Sequence, residues 1–116
     1  MRVQVKMVVF TTDKNKWGSA YCSYCPATNY PFGRSDTIEE IVADVQGHLL
    51  NLLCHRLIYK NLRNCGWIIT ENSVKPPIFT DEEVVYLTEQ SYSTTIVAPK
   101  IIELDVEVPC VRGFYL

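Results

Sequence analysis

The sequence predicts a single α+β domain in which strands pair early in the chain and helices separate the later strands. Three observations carry this prediction. The amino-terminal residues alternate between apolar and polar side chains, two helical stretches each open with a capping signal, and the last segment alternates again. The predicted order is β-β-β-α-β-α-β, a β-β-β-α-β core followed by a second short helix and a C-terminal strand. Such an order favours helices packed on one face of the sheet.

The first three predicted strands fall within residues 1–35. Apolar side chains occupy alternate positions of the first strand, which is the period of a half-buried strand: Val3, Val5, Met7 and Val9. A polar turn over residues 12–16 leads to a second strand over residues 17–25, and so short a connection predicts an antiparallel hairpin. Residues 30–35 predict a weaker third strand at an edge or a bulge, because Pro31 has no amide hydrogen to donate.

The first helix is predicted to open with a capping box formed by Asp36 and Glu39. An apolar stripe at spacings of three and four follows and continues to Leu62: Ile38, Ile41, Val42, Val45, Leu49, Leu52, Leu53, Leu57 and Leu62. Gly66 is the predicted stop signal. Gly47, inside the helix, indicates either close approach by another element or a tolerated cost of about 1 kcal/mol against alanine.

The remaining predicted elements are shorter. Residues 66–70 predict a fourth strand, and residues 71–77 predict a loop. Thr80 and Glu83 form a second capping box, with Phe79 and Val84 at the flanking positions of a hydrophobic staple, so a helix is predicted over Asp81–Tyr92. Pro99 separates the ambiguous residues 93–97 from a final strand over residues 101–108.

Length and composition indicate one soluble domain over residues 1–116, with a core over about residues 1–70 and a helix–strand extension over about residues 78–109. The formal net charge of −2 argues against a general nucleic-acid binder, which needs a basic footprint. No run approaches the roughly 18 apolar residues of a membrane span. Because no export signal is recognised, the five cysteines are expected to be reduced, in the cytoplasm.

Residues 17–40 carry a distinctive pattern, in which a strand ends in a proline-containing turn and a short aromatic segment precedes an acidic helix start. The positions that carry it are Tyr21, Tyr24, Pro26, Gly33 and Asp36-Thr37-Ile38-Glu39-Glu40. This pattern resembles the N-terminal domain of the HicB family of bacterial antitoxins. The sequence departs from that family at Ile41, where a small residue usually follows the paired acids.

The resemblance implies a HicB-like fold, similar to a truncated ribonuclease-H-type fold, and a binding module that is not an enzyme. HicB proteins generally oligomerise, and their antitoxin domain covers the catalytic surface of a small basic RNase toxin, HicA. A toxin of that kind and further copies of the chain are therefore the partners that the resemblance implies. Many HicB proteins also carry a DNA-binding part. No separate DNA-binding domain is recognised here, so direct DNA binding is not expected.

Two alternative functions stay open beside this one. The first is a stand-alone, degenerate RNase-H-like domain with a ligand-binding or enzymatic role. The second is a self-assembling domain without a toxin partner.

Glu103, Asp105 and Glu107 alternate with apolar residues in the last predicted strand. Because successive side chains of a strand point to opposite faces, the three carboxylates line one face of the sheet. One interpretation is a solvated face that resists edge-to-edge aggregation. The other is an acidic surface for a basic partner, for which charge complementarity raises the association rate and the specificity. Same-face residues lie about 6.6–7 Å apart, too wide for one magnesium ion.

Aromatic residues are concentrated in the second and third predicted strands. Trp17, Tyr24, Tyr30 and Phe32 are candidate partner-binding residues, since Tyr and Trp are enriched at protein interfaces. Core packing is the competing interpretation. A base-stacking platform for single-stranded nucleic acid would need a basic groove beside these aromatics, which the charge balance does not favour.

The cysteines and histidines predict no catalytic residue, metal ligand or cofactor. Cys22 and Cys25 form a C-x-x-C motif, but side chains three apart in a strand point to opposite faces. His48 and His55 are about two helical turns apart, and no second C-x-x-C supplies the remaining ligands of a zinc site. Cys54 and His55 are neighbours on a helix and therefore point in different directions.

Overall fold

The computed structural model describes residues 2–11, 21–29, 37–55, 59–70 and 73–107. Within these ranges the chain has a mixed α+β architecture, with three helices, a three-stranded antiparallel sheet and a separate two-stranded hairpin. The elements are β1 (Arg2–Thr11), β2 (Cys22–Tyr24), α1 (Ile38–Leu53), α2 (Tyr59–Asn64), β3 (Ile68–Ile69), β4 (Val74–Lys75), α3 (Asp81–Tyr92) and β5 (Val97–Glu107). The third strand predicted over residues 30–35 lies outside the described residues.

Strand β1 is the centre of the three-stranded sheet, whose order is β2-β1-β5. β1 and β2 pair antiparallel, which confirms the predicted pairing of the first two strands, while residues 12–20 between them lie outside the described residues. β1 and β5 also pair antiparallel, with Arg2 opposite Glu107 at one end and Thr11 opposite Val97 at the other. The long pairing of β1 with β5 makes the first and last described strands neighbours.

Strand β5 starts earlier than predicted and includes Pro99, which was expected to separate it from the preceding segment. The ladder shifts its register between Val9 and Thr11 of β1, opposite this part of β5, and Ala98 has a φ of 51°. A bulge in an outer strand tolerates proline because the missing amide hydrogen interrupts no regular ladder bond. The bulge therefore lets β5 continue through Pro99.

Helices cover both faces of the three-stranded sheet, so the prediction that they pack on one face is wrong. The first hydrophobic cluster joins one set of alternate β1 residues to α1 and α2: Val3, Val5, Met7, Val9, Ile41, Val45, Leu49, Leu53, Tyr59 and Leu62. The second cluster joins the other set to β2 and α3: Val8, Phe10, Cys22, Tyr24 and Val84. Residues 7–10 are all buried, because a strand covered on both sides needs apolar side chains at consecutive positions.

The N-cap of helix α1 lies one residue later in the chain than predicted. Thr37 is the N-cap, and its hydroxyl accepts a hydrogen bond from the Glu40 amide at 3.2 Å. The N-cap is therefore Thr37 and not the predicted Asp36, which lies outside the described residues. Both Asp and Thr are good N-cap residues, and sequence spacing alone does not choose between adjacent candidates.

The single long helix predicted to reach Leu62 is also wrong, because α1 ends at Leu53 and α2 is a separate helix. The two helices still share the first cluster, so the apolar stripe continues across the break. The buried Tyr59 joins them directly, since its hydroxyl donates to the Leu53 carbonyl at 2.8 Å.

A small hairpin follows α2. β3 confirms the fourth predicted strand, but it pairs with β4 and not with the three-stranded sheet, and β4 lies within the segment predicted as a loop. Buried Trp67 anchors the entry to this hairpin, because its indole Nε1 donates to the Ala27 carbonyl at 2.7 Å. Gly66 precedes it with a φ of +102°, a conformation that favours glycine.

Helix α3 has the bounds that the sequence predicts. The capping box is confirmed: the Glu83 amide donates to the Thr80 hydroxyl at 3.1 Å, and the Thr80 amide donates to the Glu83 carboxylate at 2.9 Å. Phe79 packs against the cluster that contains Val84, as the staple requires. No helix in the described part of the chain is long and apolar enough to cross a membrane.

Candidate functional site

The three carboxylates predicted to share a face do so. Glu103, Asp105 and Glu107 are exposed, while Leu104 and Val106 between them are buried in the first cluster. The period-two alternation of β5 therefore separates a core side from a solvent side, as predicted.

Basic side chains of β1 lie directly across from these acids. Lys6 is paired with Glu103, and Arg2 is paired with Glu107. The Arg2 Nε lies 3.4 Å from a carboxylate oxygen of Asp105 and 3.7 Å from one of Glu107. Opposite charges across two strands favour the observed register, although exposed ion pairs contribute little to stability. The acidic row is therefore partly neutralised by its neighbour strand.

The first turn of α3 brings further carboxylates to the same surface. The Lys6 ammonium donates to Asp81 at 2.9 Å. That hydrogen bond raises the pKa of Lys6, as do the negative charges of Asp81, Glu103 and Glu82, while desolvation opposes the shift. Lys6 is thus surrounded by acids from two elements.

We call this surface the charged face: Arg2, Lys6, Asp81, Glu82, Glu103, Asp105 and Glu107. Its carboxylates outnumber its basic side chains, so the face is acidic as a whole. Sequence reasoning identified the β5 acids but not Asp81 and Glu82, which are visible in the sequence only as a favourable helix start. Their approach to β1 depends on how α3 packs. The opposing basic charges could have been expected from the sequence, because Arg2 and Lys6 alternate with apolar residues along β1.

A groove of about 630 Å³ adjoins the charged face. It is lined by Arg2, Gln4, Val5 and Lys6 of β1, Glu103 of β5, and the segment Lys75, Pro76, Pro77, Ile78 and Phe79. Ile78 is 93% exposed, although it is a large apolar residue. The groove therefore combines an apolar wall with a charged one.

The predicted aromatic surface is not present at Tyr24. This residue is only 5% exposed and belongs to the second cluster, and its hydroxyl donates to Asn29 at 2.6 Å. The structure does not bring Tyr24 to the exposed acids of β5. Trp17, Tyr30 and Phe32 lie outside the described residues.

The C-x-x-C motif divides between the two cores. Buried Cys22 belongs to the second cluster and buried Cys25 to the first, which confirms that they point to opposite faces. Burial raises the pKa of the Cys25 thiol, and the Thr28 hydroxyl opposes that shift. In the part of the chain that the structure describes, no three His, Cys, Asp or Glu side chains are grouped so as to hold a metal ion.

A second cavity, of about 330 Å³, lies between α1, α2 and the turn after β2. His48 and Cys65 both line it, a juxtaposition that only the tertiary fold creates. Burial lowers the pKa of His48 and raises the pKa of Cys65. Both shifts favour neutral side chains, and a raised thiol pKa disfavours the thiolate that nucleophilic chemistry needs.

Comparisons with known proteins give no relative from which a role could be transferred. No protein-family model matches the chain, and neither a curated protein nor a solved structure is significantly similar to it.

Proposed function

We propose that this chain is a protein-binding domain of the HicB-like antitoxin type, which occludes a small basic RNase toxin by docking it on the charged face. The observation that supports this proposal is the excess of exposed carboxylates on that face, gathered from β5 and α3 around Lys6. The sequence pattern around residues 21–40 supports the antitoxin class, since it resembles the HicB family.

An acidic face of this kind selects a basic partner by charge. Long-range attraction speeds the encounter, and like-charged proteins are repelled. An RNase needs a basic surface to bind RNA phosphates. A domain that covers that surface with carboxylates therefore competes directly with the substrate.

The test is co-purification with a defined candidate: a small basic protein encoded beside this chain, whose toxicity and RNA cleavage are measured with and without it. Asp105→Lys reverses one charge on the charged face and is expected to weaken the complex by about tenfold. Asp44→Lys is the matched control, because Asp44 is an exposed residue of α1 on the opposite side of the sheet. Binding should also weaken as salt concentration rises.

The proposal is wrong if no such basic protein binds, or if Asp44→Lys weakens the complex as much as Asp105→Lys does. Suppression of toxicity by wild type and loss of suppression with Asp105→Lys are the expected results. The folded state of each variant is checked by thermal unfolding.

Self-assembly is the second candidate function, and a separate observation favours it. Among the described residues, β5 has a strand partner only on its β1 side, so its outer edge is available to a second copy. Light scattering on the purified chain measures its mass. A monomer at micromolar concentration would contradict self-assembly through this edge and leave the partner-binding proposal intact.

A further inference from the structure

We infer that the groove beside the charged face receives an extended, mostly apolar segment of the partner protein that carries a carboxylate. This inference rests on the proposed function and adds the chemistry of the partner's contact segment. A volume of about 630 Å³ is in the range of cavities that hold ligands.

The groove reaches the backbone of β1 as well as its side chains. Gln4, Val5 and Lys6 all line it, although consecutive strand residues point to opposite faces. β2 pairs with β1 only from Val8 to Phe10. Among the described residues, the β1 edge that faces β2 therefore has no strand partner before Val8. An extended segment beside this edge could form main-chain hydrogen bonds, as in strand addition.

The charges within the groove differ from those of the charged face. Arg2, Lys6 and Lys75 line it against a single acid, Glu103. Arg2 and Lys6 have acidic neighbours, whereas Lys75 forms no ion pair with any described residue. Charge complementarity therefore assigns a carboxylate to the segment, next to Lys75.

The residues that follow Lys75 supply the apolar contact. Ile78 is almost fully exposed, and Pro76, Pro77 and Phe79 flank it. An extended segment presents alternate side chains to opposite sides. It can therefore contact Ile78 with its apolar side chains and present its acid to Lys75 of the same lining segment. The groove shares Arg2, Lys6 and Glu103 with the charged face, so one partner can contact both surfaces.

The experiment uses the full chain, labelled with ¹⁵N, and a capped probe peptide of about five residues in which valine alternates with glutamate. At millimolar peptide, shifts are expected in the amide signals of residues 2–6 and 75–79. The same peptide with lysine in place of glutamate is expected to bind at least about tenfold more weakly. Equal binding of the two peptides, or no shift at these residues, overturns the inference.

Two variants with matched controls locate the site. Lys75→Glu and Ile78→Ser should each weaken the glutamate peptide by about tenfold. Lys60→Glu on α2 and Leu50→Ser on α1 make comparable changes at exposed positions that do not line the groove, and should leave binding unchanged. Equal losses in variants and controls contradict the site.

The peptide and the partner test different statements. Peptide binding that survives Asp105→Lys, together with failure to bind any basic toxin, supports the groove and refutes the proposed function. A toxin complex that Lys75→Glu and Ile78→Ser leave unchanged supports the proposed function and refutes the groove as its contact.

Discussion

The same substitution, glycine to alanine, is expected to have opposite effects at two positions. Gly47 lies within α1, and a Cβ built there meets no atom within 4 Å. Gly47→Ala should therefore stabilise the fold by about 1 kcal/mol, the difference in helix propensity. With an unfolding entropy of about 2.1 cal/mol/K per residue, this raises Tm by about 4 °C.

Gly66 has a φ of +102°, and a Cβ there lies 3.2 Å from Pro77 Cβ. Gly66→Ala should cost about 1–3 kcal/mol.

Urea unfolding followed by circular dichroism at 222 nm measures both free energies. Each variant serves as the control for the other, because both add one methyl group. Destabilisation by Gly47→Ala would mean that another element approaches α1 at this position. A neutral Gly66→Ala would mean that the turn after α2 relaxes to a negative φ without cost. Either result would refute the reasoning for that site.

Two further predictions concern single polar atoms. Tyr59→Phe removes the hydroxyl that donates to the Leu53 carbonyl within the core, so urea unfolding should show a loss of about 1–3 kcal/mol. A loss near zero would show that the hydrogen bond between α1 and α2 contributes nothing. Because burial raises the Cys65 pKa, less thiolate is present at a given pH, and iodoacetamide should label Cys65 at higher pH than a free cysteine peptide. Peptide mapping by mass spectrometry measures the rates, and a midpoint at or below that of the peptide contradicts the prediction.

Elements with strong local signals were predictable from the sequence. The alternation of β1 and the capping box of α3 depend on neighbours in the chain, and both are as expected. The break after Leu53 was not predictable, because the apolar period continues through it and the two helices share one cluster. The packing of helices on both faces of the three-stranded sheet had a local signal in the sequence, which is the apolar run over residues 7–10. Helical stripes alone do not say which face of a sheet they cover.

The candidate site was predictable only where a single strand builds it. Glu103, Asp105 and Glu107 share a face because strand geometry requires it. The pairing with Arg2 depends on register, and the approach of Asp81 depends on helix packing, so both needed the folded chain. The groove is lined by residues about 70 positions apart in the chain, and no periodic pattern in the sequence identifies them as neighbours.

The pairing of β1 with β5 also sets the order of events during synthesis. These strands join residues about a hundred positions apart, and a ribosome adds about 5–20 residues per second. About 5–20 s therefore pass between the synthesis of β1 and that of β5, the strand with which it forms its longest pairing. During that time its apolar residues 7–10 can associate with other nascent chains, because non-local pairing cannot be completed earlier. A ribosome that stalls before residue 97 leaves the central strand without β5, and such a fragment is a natural client of chaperones.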